Sequence, residues 1–227
     1  MNIKPILFNI EMVQAIKAGR KTQTRRIIKP QPVWDGISCF HISKYGCWEE
    51  GRNDRIFSAE NNWPINTGDI LWVREKWQHV YNFDDGDQLI EGTGRYVYYA
   101  DNPMPFDYWV DPDTGEHKEQ MPWKPSIHMP KEAARIFLRV KDVRIERLQD
   151  MTEEQAEKEG CSAGYWNIKC GPFGNDDDPD EWTAIEHFQK VWDSTIKPKD
   201  LDWYGWNANP WVWVIEFERC EKPEGWC

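Results

Sequence analysis

The sequence lacks a long apolar segment and an N-terminal export signal. No apolar run approaches the roughly 20 residues that a membrane-spanning helix needs, and the mean hydropathy is −0.80. The opening MNIKPILFNIEM has neither an extended apolar core nor a small-residue cleavage site. The sequence therefore predicts a cytoplasmic protein that binds no membrane, with a monomer favoured.

Paired cysteine motifs are also missing. The absence of C-x-x-C favours reduced, partly buried thiols over a disulfide framework. A zinc site built from the first four cysteines has poor spacing support. We therefore expect no metal and no cofactor. The six cysteines are Cys39, Cys47, Cys161, Cys170, Cys220 and Cys227.

Positive charge is scarce except in one stretch. The formal net charge is −11, so unspecific coating of DNA is not expected. Between Lys17 and Lys29, however, there are six cations and no acid. A basic strip on an acidic body suits selective binding of one anionic ligand, although a solvated charged edge is the commoner meaning of such a run.

Tryptophan, in contrast, is abundant, with 15 residues in a chain of 227. Tryptophan is costly to leave in water, so many of these side chains must line a core or a ligand cleft. The strong apolar strands predicted lie at Ile70–Glu75, Arg95–Ala100 and Trp211–Phe217.

The first segment predicts strand, helix and strand in succession. An apolar run at Ile6–Phe8 precedes Asn9, which can cap a helix that ends at Gly19. Met12, Ala15 and Ile16 should form its buried face. The β-branched segment Thr22–Ile28 then predicts a strand.

The second half predicts further strands and two helices. Alternation over Ile136–Leu148 breaks phase at Asp142, which favours two strands or one strand bent by a bulge. Thr152 and Gln155 form a capping box for a short helix. A second helix should begin at Asp178 or Asp180. Its apolar stripe is Trp182, Ile185, Phe188 and Trp192.

Short strands therefore predominate, with helices at the margins. This pattern predicts an α+β, mainly-β fold, a barrel with flanking helices and long loops. We expect one domain over residues 1–227, with insertions at about 31–66, 78–122 and 161–180.

The segment Gly19–Arg26 carries the most chemistry. Lys21 offers a mobile cation and Thr24 a hydroxyl, and both can reach one cleft. Arg25 and Arg26 can clamp a phosphate. The alternative is a strand edge defended by charge. The remaining candidate ligand-binding residues of this segment are Arg20 and Thr22.

Glu75 ends the apolar strand. Alternation puts it on the face of Leu71 and Val73, but Ile70 and Trp72 are apolar too, so either face can be interior. Glu75 is then either a carboxylate at a barrel mouth or the partner of a neighbouring arginine.

A proline-bounded loop and two isolated residues complete the candidates. Ser126 and His128 lie between prolines that hold the loop extended. Trp123 before this loop and Trp77 can stack on a base. Asn209 can read a base edge, although an asparagine that stabilises a turn before proline is commoner.

The chain resembles the ASCH domain, in the subgroup common in bacteriophage and prophage genomes. Four segments carry this resemblance: KPILFNIEMVQAIKAGRKTQTRRIIKP, GDILWVREKW, WKPSIHMPKEAARIFLRVKDVRIERLQDMTEEQAEKEG and NPWVWVIEFE. It implies a PUA-like β-barrel whose cleft handles RNA or a nucleoside-like ligand, in the host cytoplasm if the chain is phage-encoded.

The resemblance also implies a possible amidohydrolase. One branch of shorter bacterial relatives hydrolyses the acetyl amide of N4-acetylcytidine with a Lys, a Thr and a Glu. In this sequence these positions are Lys21, Thr24 and Glu75.

The sequence therefore leaves two functions open. The first is an RNA- or nucleoside-binding protein, in which Lys21, Arg25 and Arg26 hold phosphate and the aromatic loops contact the base. The second is the hydrolase, in which Thr24 attacks the amide carbonyl, Lys21 takes its proton or stabilises the oxyanion, and Glu75 delivers a proton to the leaving amine. A phage structural role is a weaker third possibility, because no coiled coil or repeat supports it.

Overall fold

β-Strands dominate the computed structural model, which describes residues 2–34, 40–42, 46–48, 65–82, 84, 90, 92–103, 105, 109–111, 114–165 and 181–226. The strands in these ranges are β1 (Ile3–Leu7), β2 (Gln23–Ile27), β3 (Val33–Trp34), β4 (Phe40–Ile42), β5 (Gly46–Trp48), β6 (Ile70–Arg74), β7 (Trp77–Val80), β8 (Arg95–Tyr98), β9 (Trp109–Val110), β10 (His117–Lys118), β11 (Phe137–Arg147), β12 (Gly164–Tyr165), β13 (Glu181–Trp182) and β14 (Trp211–Cys220).

Helices are fewer and short. The α-helices of the described ranges are α1 (Ile10–Lys17), α2 (Glu153–Lys158), α3 (Ala184–Ser194) and α4 (Leu201–Tyr204). The 3₁₀ turns are Ser126–His128, Lys131–Ala133, Leu148–Asp150, Pro198–Asp200 and Trp206–Ala208. No helix in the described part of the chain has both the length and the apolar character needed to cross a bilayer.

The largest sheet has five strands in the order β1-β6-β11-β14-β2. β1 pairs in parallel with β6, β11 pairs antiparallel with β6, and β14 pairs antiparallel with β2. Among the described residues this sheet is open, with β1 and β2 as its outer strands. The α+β, mainly-β class is confirmed.

The chain forms two compact units. Unit 1 comprises Met1–Ala18, Ile70–Arg139 and Arg219–Cys227. Unit 2 comprises Gly19–Asp69 and Val140–Glu218. The expectation of one domain with three insertions stays a prediction.

The core of unit 1 is rich in aromatic side chains. The indole of Trp226 packs edge-on against Trp72 at 5.7 Å and against Phe137 at 5.2 Å between ring centroids. Its Nε1 donates to the carbonyl oxygen of Lys131. The other buried members of this core are Ile70, Trp77, Met129, Ala133 and Ala134.

The core of unit 2 is formed by α2, α3 and β14. On α3, Phe188 and Trp192 are buried, as expected for two residues one turn apart on an amphipathic helix. They pack with Val212 and Val214, which belong to a strand buried on both faces. The remaining buried members are Leu148, Met151, Ala156, Cys161 and Ala184.

Several elements are confirmed where a local physical signal marks them. The Asn9 side chain accepts a hydrogen bond from the Met12 amide and caps α1. Both hydrogen bonds of the Thr152–Gln155 capping box are present in α2. On α1, the buried side chains are Val13, Ala15 and Ile16, so Val13 takes the place expected for Met12.

Other elements differ from expectation. Trp182 lies in β13, not on the helix, because Thr183 caps α3 and the helix begins only at Ala184. Asp178 and Asp180 lie outside the described residues. Of the two alternatives for Ile136–Leu148, the single strand is observed: β11 has 11 residues and continues through Asp142. The short strands β3–β5, β7, β9–β10 and β12 were not expected, and neither was α4.

Candidate functional site

The polar segment that enters β2 is buried. Gly19, with φ of 74°, reverses the chain after α1 in a left-handed conformation that suits glycine. Beyond it, Lys21 and Arg25 are each 2% exposed, and Gln23 and Thr24 are fully enclosed. Arg20 and Thr22 are exposed, and Arg20 donates to the carbonyl oxygen of Gly160 at 3.2 Å.

Glu159 is the carboxylate that meets these buried cations. The Lys21 Nζ lies 2.7 Å from Glu159 Oε2 and also donates to the Glu159 carbonyl oxygen at 2.8 Å. Arg25 Nη1 donates to Glu159 Oε1 at 3.2 Å. Glu159 stands at the C-cap of α2, so the helix places its side chain. One carboxylate therefore serves two buried cations.

The contacts continue through a chain of polar side chains. Arg25 Nη2 donates to Gln155 Oε1 at 2.8 Å and to Glu146 Oε2 at 3.2 Å. Arg144 pairs with Glu146 and lies 2.5 Å from Glu216. We call this set the Lys21–Glu159 cluster; its members are Lys21, Gln23, Arg25, Arg144, Glu146, Gln155, Glu159 and Glu216.

Burial changes the acid–base behaviour of the cluster. It lowers the pKa of Lys21 from its ordinary 10.5, although the charge of Glu159 acts in the opposite direction. Burial likewise lowers the pKa of Arg26, again against the charge of Glu159. Lys21 is consequently closer to its neutral form than an exposed lysine is.

Thr24 belongs to the opposite face of β2 from Gln23 and Arg25, because side chains alternate along a strand. Its Oγ1 accepts a hydrogen bond from Arg26 Nη1 at 2.9 Å. Arg26 Nη1 also donates to the Arg25 carbonyl oxygen at 3.0 Å. Arg26 therefore holds the Thr24 hydroxyl.

Glu75 belongs to unit 1 and is 1% exposed. Arg135 donates two hydrogen bonds to its carboxylate, from Nε to Oε1 at 2.8 Å and from Nη2 to Oε2 at 2.9 Å. The Arg135 guanidinium also bonds Asp101 and lies 3.7 Å from the centroid of the Tyr98 ring. Glu75 is thus the partner of an arginine, the second of the two alternatives the sequence left open for it.

The predicted stacking residues of unit 1 differ in exposure. Trp77 is 6% exposed, with the Lys124 ammonium 5.1 Å from its ring centroid. Trp123 is half-buried; its Nε1 donates to the Pro103 carbonyl oxygen at 3.1 Å, and its ring packs edge-on against Tyr99.

The other predicted ligand-reading residues have ordinary structural roles. Ser126 and His128 bound a 3₁₀ turn, where His128 is exposed. Asn209 adopts a left-handed conformation with φ of 44° before Pro210. Its Oδ1 accepts from the Gln149 amide at 2.8 Å, so Asn209 stabilises a turn.

Metal-site residues do not assemble in the described part of the chain, where no group of three or more His, Cys, Asp or Glu side chains could hold an ion. Cys161 is a buried thiol and Cys220 a half-buried one. Cys39 and Cys170, considered for zinc, lie outside the described residues.

Sequence patterns missed Glu159, Gln23 and Arg144. Glu159 is 138 residues from Lys21 along the chain, so no local motif links them. The capping box before Glu159 and Gly160 after it indicate where a helix ends, but they do not indicate that Glu159 pairs with Lys21. Comparison of the chain with family models, with curated proteins and with solved structures gives no match.

Proposed function

We propose that this chain is an ASCH-type protein with a PUA-like fold, active in the cytoplasm, that binds a nucleoside or nucleotide, free or within RNA. The proposed site is the Lys21–Glu159 cluster. The observation that carries the proposal is the burial of Lys21 and Arg25 around one shared carboxylate. Buried ionisable groups with perturbed pKa values concentrate at functional sites.

The energetics of the cluster support a role beyond folding. Taking charges out of water costs several kcal/mol per ion, and well-packed apolar side chains are often at least as stabilising. The Lys21 and Arg25 side chains are fully enclosed, and Glu159 is 2% exposed. Such a set supplies oriented hydrogen-bond donors for the acceptor atoms of a nucleoside. Because the side chains are buried, water does not screen the hydrogen bonds that these donors make.

The roles predicted for unit 1 are separate parts of the proposal. Trp123 and His128 are proposed to stack on bases, and Ser126 to bind a base edge. Trp77, also predicted to stack, is a buried core residue, whereas Trp123 is half-buried and is the type of side chain that binds unstacked bases. The contribution of Trp123 is tested by substitution to leucine, which keeps an apolar side chain and removes the ring.

Binding is tested by titrating the protein with labelled single-stranded RNA and with cytidine, at low and moderate salt. Removing Lys21 deletes a charged hydrogen-bond donor, so Lys21→Met should weaken binding by about tenfold or more. Lys141 is exposed and pairs with Glu218, so Lys141→Met is the matched control and should bind as the wild type does.

Lys21→Met also leaves Glu159 buried without its ammonium. The double variant Lys21→Met/Glu159→Gln removes both charges, so no unpaired carboxylate is left beside residue 21, and it should bind as weakly as Lys21→Met does. A wild-type protein that retains neither RNA nor cytidine at low salt would refute the proposal.

A second candidate, hydrolysis of an acylated nucleoside amide, is favoured by the lowered pKa of Lys21. In this scheme the Lys21 amine must leave Glu159 and the Thr24 Oγ1 must leave Arg26; the neutral amine then accepts the Thr24 hydroxyl proton as Oγ1 bonds to the amide carbonyl carbon. The C–N bond then breaks, the amine leaves with a proton, and water hydrolyses the Thr24 ester to the free acid. Glu75, predicted from the sequence to protonate the amine, is paired with Arg135, so in this scheme Lys21 returns the proton it has taken to the leaving amine.

Acetate release from N4-acetylcytidine tests this candidate. Thr24→Val should abolish release while nucleoside binding persists, because valine has the shape of threonine without its hydroxyl. Wild-type protein that binds N4-acetylcytidine and releases no acetate is a binding protein only.

A further inference from the structure

Within the part of the chain that the structure describes, two buried donors of the Lys21–Glu159 cluster have no acceptor. Among the described residues, Gln23 Nε2 and Arg25 Nε lack a hydrogen-bond partner. Gln23 is fully enclosed and Arg25 is 2% exposed. Buried polar groups are almost always paired, so each such donor calls for an explanation.

Both donors are held in place by their neighbours. Arg144 Nη2 donates to Gln23 Oε1 at 3.3 Å. Arginine has donors only, so the oxygen of the Gln23 amide must face Arg144 and the NH₂ group must point away. In Arg25, Nη1 and Nη2 bind Glu159, Glu146 and Gln155, which leaves Nε.

The two side chains also share a direction. Gln23 and Arg25 are two residues apart in β2, and the period of a strand puts them on the same face, about 7 Å apart along the chain. Two oriented donors on one face, both without an acceptor among the described residues, are suited to a group that accepts hydrogen bonds.

The cations around this subsite already have carboxylate partners. Lys21, Arg25 and Arg144 pair with Glu159, Glu146 and Glu216, and Arg144 also lies 3.5 Å from Asp142. A phosphate would add negative charge to a set in which every one of these cations is paired, whereas a carbonyl oxygen adds none. The terminal nitrogens of Arg25 are also occupied, so they are not available for the phosphate clamp expected from the sequence.

We infer that Gln23 and Arg25 recognise a neutral carbonyl oxygen of a nucleobase. This inference rests on the proposed function and restricts it: uracil, cytosine and guanine present an exocyclic carbonyl, and adenine presents none. The protein should therefore prefer carbonyl-bearing bases over adenine, through donors on β2 and not through a phosphate clamp.

The experiment compares single-stranded oligomers of uridine, cytidine and adenosine of one length, which carry equal charge, together with the free nucleosides and inorganic phosphate. We expect the uridine and cytidine ligands to bind at least about tenfold more tightly than the adenosine ligands. Inorganic phosphate should not compete with free uridine.

The variant Gln23→Glu tests the hydrogen-bond donor of Gln23 alone. Its carboxylate still accepts from Arg144 but has no N–H, so uridine binding should fall by about tenfold or more while adenosine binding stays as it was. The exposed Gln120→Glu variant carries the same charge change and should bind uridine normally. Gln23→Met, which is neutral, provides a second variant if Gln23→Glu fails to fold, and it should show the same loss.

The outcomes distinguish failure of the carbonyl subsite from failure of the proposed nucleoside binding. Equal binding of uridine and adenosine ligands overturns the carbonyl subsite and leaves nucleoside binding standing. Competition by inorganic phosphate overturns it in favour of an anion site. Absence of binding by every oligomer and nucleoside overturns the proposed function and the inference together. A uridine-bound crystal structure with only a water molecule on Gln23 Nε2 also overturns the inference.

Discussion

At Glu159 a single carboxylate compensates two buried cations, Lys21 and Arg25. Removing one partner of a buried ion pair leaves an uncompensated charge, a change far more costly than loss of an exposed pair. The cluster is therefore held together by its least exposed acid. Glu159 therefore orients Lys21 before any ligand binds to the cluster.

Glu159→Gln should lower the free energy of unfolding by about 3–5 kcal/mol, because it removes the charge that serves both cations. Urea denaturation at neutral pH measures the change. Glu218→Gln is the control, since Glu218 and its partner Lys141 are both about half exposed, and it should change stability by less than about 0.5 kcal/mol. Similar losses in the two variants would mean that Glu159 is not the central acid of the cluster.

Tyr98 makes the stability of unit 1 depend on pH in the alkaline range. Burial raises the pKa of Tyr98 from 10.0 to about 12, and its hydroxyl donates to the Ala133 carbonyl oxygen at 2.6 Å. Between these two values the folded protein keeps a proton that the unfolded chain loses, so stability from Tyr98 is complete below pH 10 and falls as the pH rises toward 12.

Tyr98→Phe should therefore be less stable than the wild type at neutral pH by about 1 kcal/mol, the value of one hydrogen bond. The difference should shrink as the pH rises above 10. Urea denaturation of both proteins across this range measures it. A difference that stays constant up to pH 11 would show that Tyr98 ionises with its ordinary pKa.

On the scale of elements, α2 links folding to the site. Its capping residue Gln155 accepts from both the Thr152 amide and Arg25 Nη2, and its C-cap residue is Glu159. The helix is only six residues long, so its end hydrogen bonds are a large part of what defines it.

Thr152→Ala should cost about 1 kcal/mol of stability, because it removes the acceptor for the Gln155 amide. It should also weaken cytidine binding, since α2 places Glu159 beside Lys21. Thr183→Ala removes the equivalent capping box of α3 and should cost a similar amount without the loss of binding. The two variants are compared by thermal unfolding and by cytidine titration.

The elements that the sequence predicted well are those with a local cause. Capping residues mark α1 and α2, and dense apolar runs mark β6 and β14. The strand β7 was missed because His79 and Gln78 give it a polar sequence. Its place depends on pairing with β8 and on the Lys124 bridge, which are set by tertiary contacts.

The candidate site was predictable only in part, for the same reason. The basic segment and its resemblance singled out Lys21 and Thr24 before the structure. The partner of Lys21 is the C-cap residue of α2, and that of Glu75 is Arg135, 60 residues away. Long-range ion pairs leave no periodic mark in a single sequence, so neither pairing was derivable from it.

On the scale of the whole molecule, unit 1 depends on the last segment of the chain. Trp226→Ala should lower the free energy of unfolding by about 3–5 kcal/mol, because the indole fills a core between Trp72 and Phe137. Trp203 is 73% exposed, and Trp203→Ala should change stability by less than about 0.5 kcal/mol. Denaturant unfolding followed by circular dichroism compares them, and equal effects would contradict the assigned core.

The division of unit 1 among three stretches of chain has a consequence for biosynthesis. Unit 2 has all of its residues once Glu218 has been added, whereas unit 1 still lacks Arg219–Cys227. The strand β1 and the helix α1 therefore need a segment far along the chain before their own unit is complete. Deletion of Arg219–Cys227 would leave unit 2 with all of its residues and would remove Trp226 from the core of unit 1.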